Sequence, residues 1–283
     1  MDESPERPTV WPVFLAFAAA MAALVVGGVV VVMAYLVVGV ARGQTKANAS
    51  GAFMDGVVRS PGFLLWTTLL SNAVFALTAL IAVRLERRPA AQRLRWLRAR
   101  TRWPHVVAAV LLVLGLSETS DRVIALLGLQ FGATMQHLGT AVHGSSPPVF
   151  LGLALLLVLA GLSEELFFRG YMQTRLGWRW TRGVAVIVTA GFFGLAHLDP
   201  VHSSATLAMG IALGAVTEAS GSVRPAVAAH CVNNLFAALS ARYLVGTWYA
   251  AAHLSVLGAG LLALALGALW LWRLALSIPR EPV

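Results

Sequence analysis

The chain has 283 residues, of which 58% are hydrophobic and 12% charged, with a formal charge of +9. Soluble domains carry about a quarter charged residues, and each bilayer crossing consumes roughly 20 apolar residues, so an ordinary soluble enzyme and a large soluble appendage are both excluded. A single cysteine, Cys231, excludes an internal disulfide and a four-thiolate metal site.

The N-terminus mixes Asp2, Glu3, Glu6 and Arg7. The apolar run behind it, Trp11 to Val40, is too long for the core of a signal peptide and reads as a retained anchor. Further apolar runs fall near 62–83, 104–117, 148–168, 184–197, 203–217, 224–245 and 248–276, which predicts eight crossings of an all-α, polytopic transmembrane helical bundle. The third run is short. The stretch from Glu118 to His143 behind it, with Asp121 and Arg122 beside Val123–Leu129, also reads as an interfacial or re-entrant helix, which would make the count seven.

Between the second and third runs, Arg84, Arg87, Arg88, Arg93, Arg95, Arg98, Arg100 and Arg102 face only Glu86. Connections this basic stay on the cytoplasmic side. Counting outward with eight crossings puts Arg175, Arg179, Arg182 and both termini on that side too, and the Glu118 and Asp199 connections on the other. Leu94, Trp96, Leu97 and Trp103 interleave with these arginines, and the flanking spans make a helix lying among anionic headgroups a better reading than a nucleic-acid patch.

Ionisable groups at bilayer depth cost about 2.5–3.5 kcal/mol even on lenient scales, so they mark candidate functional sites. The first lies in Gly161-Leu162-Ser163-Glu164-Glu165-Leu166-Phe167-Phe168-Arg169-Gly170. Glu165 and Arg169, four apart with the acid first, share a helical face and can pair. Glu164 points about 100° away and keeps a carboxylate without that partner, as suits a general base or acid. The plain alternative is a helix end reaching for the interface. The second is His197, one turn after Phe193 at the end of a span, with His202 just beyond Asp199-Pro200. The third is His230-Cys231-Val232-Asn233-Asn234, where His230 and Asn234 share a face. Both residue types also act as polar glue between helices, and Asn233, off that face, reads as glue. A base, two imidazoles and a carboxamide compose a water-activating group with donors for a developing oxyanion.

Other chemistries fit less well. No His-Glu-x-x-His spacing occurs, although a Glu164/His197/His230 metal site stays geometrically open. Cys231 adjoins His230 and therefore turns away from it on a helix, so it reads as packing. No Gly-x-Ser-x-Gly elbow is present, and Ser163 either orients Glu164 or packs. A transporter would show matched broken spans in two halves, whereas the polar groups here sit in one half.

The motifs Glu164-Glu165-x-x-x-Arg169, Phe193-x-x-x-His197 and His230-x-x-x-Asn234, in this order, resemble those of the CAAX protease and bacteriocin-processing family of intramembrane glutamic endopeptidases, which includes the type II CAAX prenyl proteases. The resemblance covers roughly 149–245 and finds no motif in the first 147 residues. It implies that Glu164 activates water with help from His197, that His230 and Asn234 stabilise the oxyanion, and that Glu165, Arg169 and Phe193 shape the site. It also implies no metal and no other cofactor. The expected organisation is N-terminal spans over 1–147 with the basic loop 84–103, a catalytic core over 148–245, and a final span and tail over 246–283. The expected substrate is a peptide or protein held at the membrane, lipidated ones included, with no nucleic-acid partner. A non-catalytic pseudoprotease or immunity factor using the same groove is the alternative. One lysine among the 21 basic residues suggests a GC-rich bacterium and hence a bacterial cell membrane. Because the Glu164 helix leads into the Arg175–Arg182 loop, the cavity is expected to open to the cytoplasmic leaflet.

Overall fold

A computed structural model describes residues 9–43, 51–85, 90–96 and 103–276. The acidic N-terminus and Arg87, Arg88, Arg98, Arg100 and Arg102 of the basic connection lie outside the described residues. Those described form helices without strands: α1 (Trp11–Ala41), α2 (Gly51–Val58), α3 (Pro61–Arg84), α4 (Ala90–Arg93), α5 (Trp103–Leu126), α6 (Ala133–Gly144), α7 (Pro147–Glu165), a π-helix (Leu166–Gln173), α8 (Thr174–Gly177), α9 (Arg182–Leu195), α10 (Pro200–Ser220), α11 (Arg224–Tyr243), α12 (Trp248–Ala251) and α13 (His253–Leu276). Proline opens α3, α7 and α10 where its missing N–H costs nothing. Ser60 and Asp199 cap α3 and α10 through their side-chain oxygens.

Each of the eight apolar runs becomes a helix, and four helical stretches, Trp11–Ala41, Pro61–Arg84, Pro147–Gly177 and His253–Leu276, are long and apolar enough to cross a membrane. On α1, Val25, Val26, Val29, Val30 and Val37 are each more than half exposed, a surface suited to lipid rather than water. The chain is an integral membrane protein by these helices.

The eight long helices alternate between two ends of the bundle. At one end, Arg93 donates to the Val83 carbonyl, Val223 N–H to the Arg95 carbonyl (3.1 Å) and Arg175 Nε to the Thr9 carbonyl (3.0 Å). Arg95 and Arg182 both face Glu218 there, and Trp103 meets Trp270 (6.4 Å between ring centres). The start of α1 and the end of α13 therefore share the arginine-rich end. At the opposite end, Arg242 donates to the His143 carbonyl, Tyr249 to Glu118, and Gly132 N–H to Asp199.

Three sequence expectations need correction. The third run does not stop at 117: α5 continues to Leu126, and no separate helix begins at Glu118. Its charges stay helical because Glu118 and Arg122 are one turn apart (3.8 Å), with Tyr249 bonded to the acid and lying under the guanidinium (4.7 Å). The basic segment does not form a headgroup-lying helix in its described part: α4 is a single turn, Arg93 is only 2% exposed, and Trp96 lies under Arg224 (5.2 Å). The run ending near 168 goes on through the π-helix to Gly177.

Candidate active site

The site forms where α7 meets α11. A Cβ on Gly161 would lie 2.8 Å from the Cys231 nitrogen and 3.0 Å from the His230 carbonyl carbon. Only glycine lets the two backbones approach so closely, and the approach brings His230 beside the acidic pair one turn further along α7. Cys231 sits on the other side of this crossing, its thiol donating to the Val158 carbonyl (3.2 Å), as packing.

The two adjacent glutamates have different environments. Glu165 is fully buried and accepts from Arg169 Nη1 (2.5 Å) and from His230 Nδ1 (2.9 Å). Arg169, also fully buried, adds a bond to the Gly210 carbonyl (3.2 Å) and lies over the Phe193 ring (4.4 Å). Glu164 has neither partner. It faces His230 Nε2 at 3.8 Å and keeps 15% of its side chain exposed, so it is the carboxylate left open to a reactant. The 100° separation read from the helix period produces this division of labour.

His230 is therefore oriented at one nitrogen by Glu165 and turns the other toward Glu164. His197 follows α9, and its Nδ1 lies 2.8 Å from the Phe193 carbonyl. That oxygen can only accept, so Nδ1 carries the proton and Nε2 offers a lone pair. His197 reaches the cluster through rings rather than through a bond to Glu164: Phe193 stands edge-on to both His197 (5.0 Å) and His230 (5.8 Å). Asn234 is drawn to a different level. Its amide donates to the Leu157 carbonyl (2.9 Å), two turns of α7 before Glu164, and Asn233 Nδ2 reaches Asn234 Oδ1 at 3.5 Å. In this structure Asn234 ties α11 to α7.

Several supporting residues have no motif in the sequence. Asn72 of α3, buried, donates to the Leu156 carbonyl (2.9 Å) and accepts from Ser163 (3.2 Å), so Ser163 anchors α7 rather than orienting Glu164. An amide inside an apolar run was the signal available for Asn72, as it was for Asn234. Gln173 bonds the Gly214 carbonyl (3.1 Å) and Glu218 (2.9 Å), fastening the π-helix to α10. Asp199 caps α10 through Val201 and His202 N–H (3.0 and 3.1 Å) and accepts from Gly132, which joins the α9–α10 turn to the α5–α6 connection. The His202 N–H above all, opposed by burial and aided by the Gly132 and Val201 N–H groups, holds the Asp199 carboxyl below the usual carboxylate range.

On the arginine-rich side of Glu164, Phe167, Phe168, Met172 and Leu176 are fully buried, and Phe168 packs on Phe193 (5.1 Å between centres). The helix does lead into the Arg175–Arg182 loop. Among the described residues no group of three or more His, Cys, Asp or Glu side chains is placed to hold a metal ion, so Glu164, His197 and His230 are not gathered as a ligand shell.

Residues 146–236 match the family model described as type II CAAX prenyl endopeptidase Rce1-like. The match runs from the start of α7 into α11 and contains every residue of the three motifs. The family is one of CAAX-type membrane proteases. No curated protein and no solved structure matches the chain.

Proposed function

We propose that the protein is a metal-independent endopeptidase of the glutamic type that hydrolyses a peptide bond inside the membrane, with Glu164 as the base. The observation that carries this reading is the inequality of the acidic pair. Glu165 is consumed by Arg169 and His230, while Glu164 stands 3.8 Å from His230 Nε2 and remains accessible.

Glu164 takes a proton from water as the oxygen attacks the carbonyl carbon of the substrate, with the His197 Nε2 lone pair accepting the second water hydrogen and aligning the nucleophile. The carbonyl oxygen gains the negative charge. His230 in its imidazolium form, with Nδ1–H held by Glu165, supplies Nε2–H as the donor nearest to that oxygen, and Asn234 adds a second once its amide turns from Leu157 to the substrate. The tetrahedral species collapses when Glu164 returns its proton to the leaving nitrogen. The Phe167–Phe168–Phe193 wall keeps bulk water off these groups, and fixed donors act more strongly in such surroundings. The substrate is a membrane-held peptide, with or without a lipid on it, since the matched family is described by prenyl endopeptidases and Glu164 lies within the apolar stretch Pro147–Gly177.

Detergent-purified protein incubated with a fluorogenic peptide library tests this reading. Cleavage lost in Glu164→Gln and His230→Ala, and unchanged by a chelator, is the expected result. Cleavage abolished by the chelator would transfer the chemistry to a metal, and peptide binding with no turnover in the unmodified protein would make it a pseudoprotease.

A further inference from the structure

His197 and His230 have duties in the proposed hydrolysis and His202 has none. Yet the His202 ring lies closer to His197 (4.7 Å between centres) than Phe193 does (5.0 Å).

The two histidines come from successive helices, and the turn between them makes them meet. α9 ends at Leu195 and α10 begins at Pro200. Between them Leu198 holds a φ of 54°, a strained setting for a residue with a β-carbon. Gly194, three residues before His197, faces α10 without a side chain: a Cβ there would lie 2.9 Å from the Ser203 carbonyl oxygen. Small residues allow helices to approach this closely, and the approach falls one residue from His202.

His202 is itself held from two sides. Its N–H donates to Asp199 Oδ1 (3.1 Å), and Phe131 stands edge-on to its ring (5.8 Å). Gly132 N–H donates to the other carboxylate oxygen, so the Asp199 side chain fixes both the first turn of α10 and the segment that carries Phe131. A Cβ on Gly132 would lie 2.6 Å from that oxygen, so the clamp requires glycine.

His197 needs such support. The bond from Nδ1 to the Phe193 carbonyl (2.8 Å) fixes its tautomer. It leaves the ring able to swing, because the terminal torsion of histidine is broad. Ring neighbours restrict that swing, since aromatic pairs with centres about 4.5–7 Å apart prefer definite tilts. At 4.7 Å and 71° between planes, His202 makes the closer of the two ring contacts with Phe193 and His202.

We propose that His202 is a positioning residue for the hydrolysis. Its ring, backed by Phe131 and the Asp199–Gly132 clamp, holds the His197 imidazole at the tilt that aims Nε2 at the attacking water. This rests on the endopeptidase reading for the reaction, and on the ring contacts alone for the ordering of His197.

The test compares His202→Ala, which removes the ring, with His202→Phe, which keeps an aromatic ring without its nitrogens. Ser204→Ala, an exposed change in the same turn of α10, is the control. With a fluorogenic peptide in detergent, His202→Ala should lower kcat by about tenfold to a hundredfold, as a displacement of about 1 Å at a catalytic group can. KM and melting temperature should stay near those of the parent. His202→Phe should recover most of the loss, and Ser204→Ala should show none. An unchanged kcat in His202→Ala, or a loss carried by KM or matched by melting temperature, overturns the proposal. So does a His202→Phe as slow as His202→Ala, or an equal loss in Ser204→Ala.

NMR of the same proteins carrying isotope-labelled histidine gives a reading that needs no turnover. In the parent and in His202→Phe, the His197 signals should separate into a protonated Nδ1 and a bare Nε2, and in His202→Ala they should draw together. Separation that persists in His202→Ala overturns the proposal. The expected pattern in a parent that cuts no peptide upholds the ordering of His197 and sinks the endopeptidase reading, so the two fail separately.

Discussion

At the scale of single residues, neighbours in sequence have opposite duties. Glu164→Gln removes the base but leaves Glu165, Arg169 and His230 paired, so cleavage should fall by about 10²–10⁴ while the melting temperature in detergent stays close to that of the parent. Glu165→Gln should do the reverse in stability. It strands the fully buried Arg169 charge, and breaking a buried pair from one side costs about 3–5 kcal/mol, read as a marked drop in melting temperature. Equal melting temperatures for the two variants would show that the pair is not buried as described. Loss of a donor to the developing oxyanion costs about 10²–10³ in rate, so His230→Ala should lose at least that much. Asn234→Ala also removes an α7–α11 bond, so its rate loss should come with a small loss of stability, separable by comparing turnover with thermal unfolding. The carboxylate division was legible in the sequence because the helix period decides it. The Glu165–His230 bond was not, since 65 residues separate its partners.

At the scale of elements, close helix approach decides which motifs meet. Gly161→Ala would press a methyl group into the α11 backbone. The helices must move apart and carry His230 away from the acidic pair, so activity should fall by at least tenfold, since a displacement of about 1 Å at a catalytic group can cost 10²-fold. Gly177→Ala, where a Cβ meets nothing within 4 Å, should be silent in the same peptide assay and serves as the control. The π-helix from Leu166 to Gln173 follows directly on the two glutamates. Such widened turns concentrate at functional sites, and here Gln173 locks it to Gly214 and Glu218. Apolar periodicity gives no sign of an added residue per turn, so a regular helix was the only expectation the sequence could supply.

At the scale of the whole molecule, hydrophobicity and charge order the chain along the bilayer normal. Eight apolar runs became helices, and most of the described arginines lie at one end, with Arg59, Arg122 and Arg242 at the other, because burial of apolar side chains and the placement of charge both depend on local composition. The three motifs were legible for the same reason: ionisable groups inside apolar helices stand out residue by residue. The continuation of α5 through Glu118, Asp121 and Arg122 was not, because its charges are satisfied by Tyr249 from a distant segment. The supporting Asn72–Ser163 bond and the Asp199–Gly132 clamp likewise join positions 91 and 67 apart. The chain after Glu164 leads to arginine, as its sequence indicates, and buries Phe167, Phe168, Met172 and Leu176 on the way. The sequence by itself determined that this is an all-helical membrane protein and which ionisable side chains stand out inside its apolar helices, because hydropathy, helical period and the cost of a buried charge act locally. Only the tertiary structure decided that Glu165 orients His230 and that Asn72 and Asp199 tie distant segments around the site, because those depend on contacts between helices that the chain brings together from far apart.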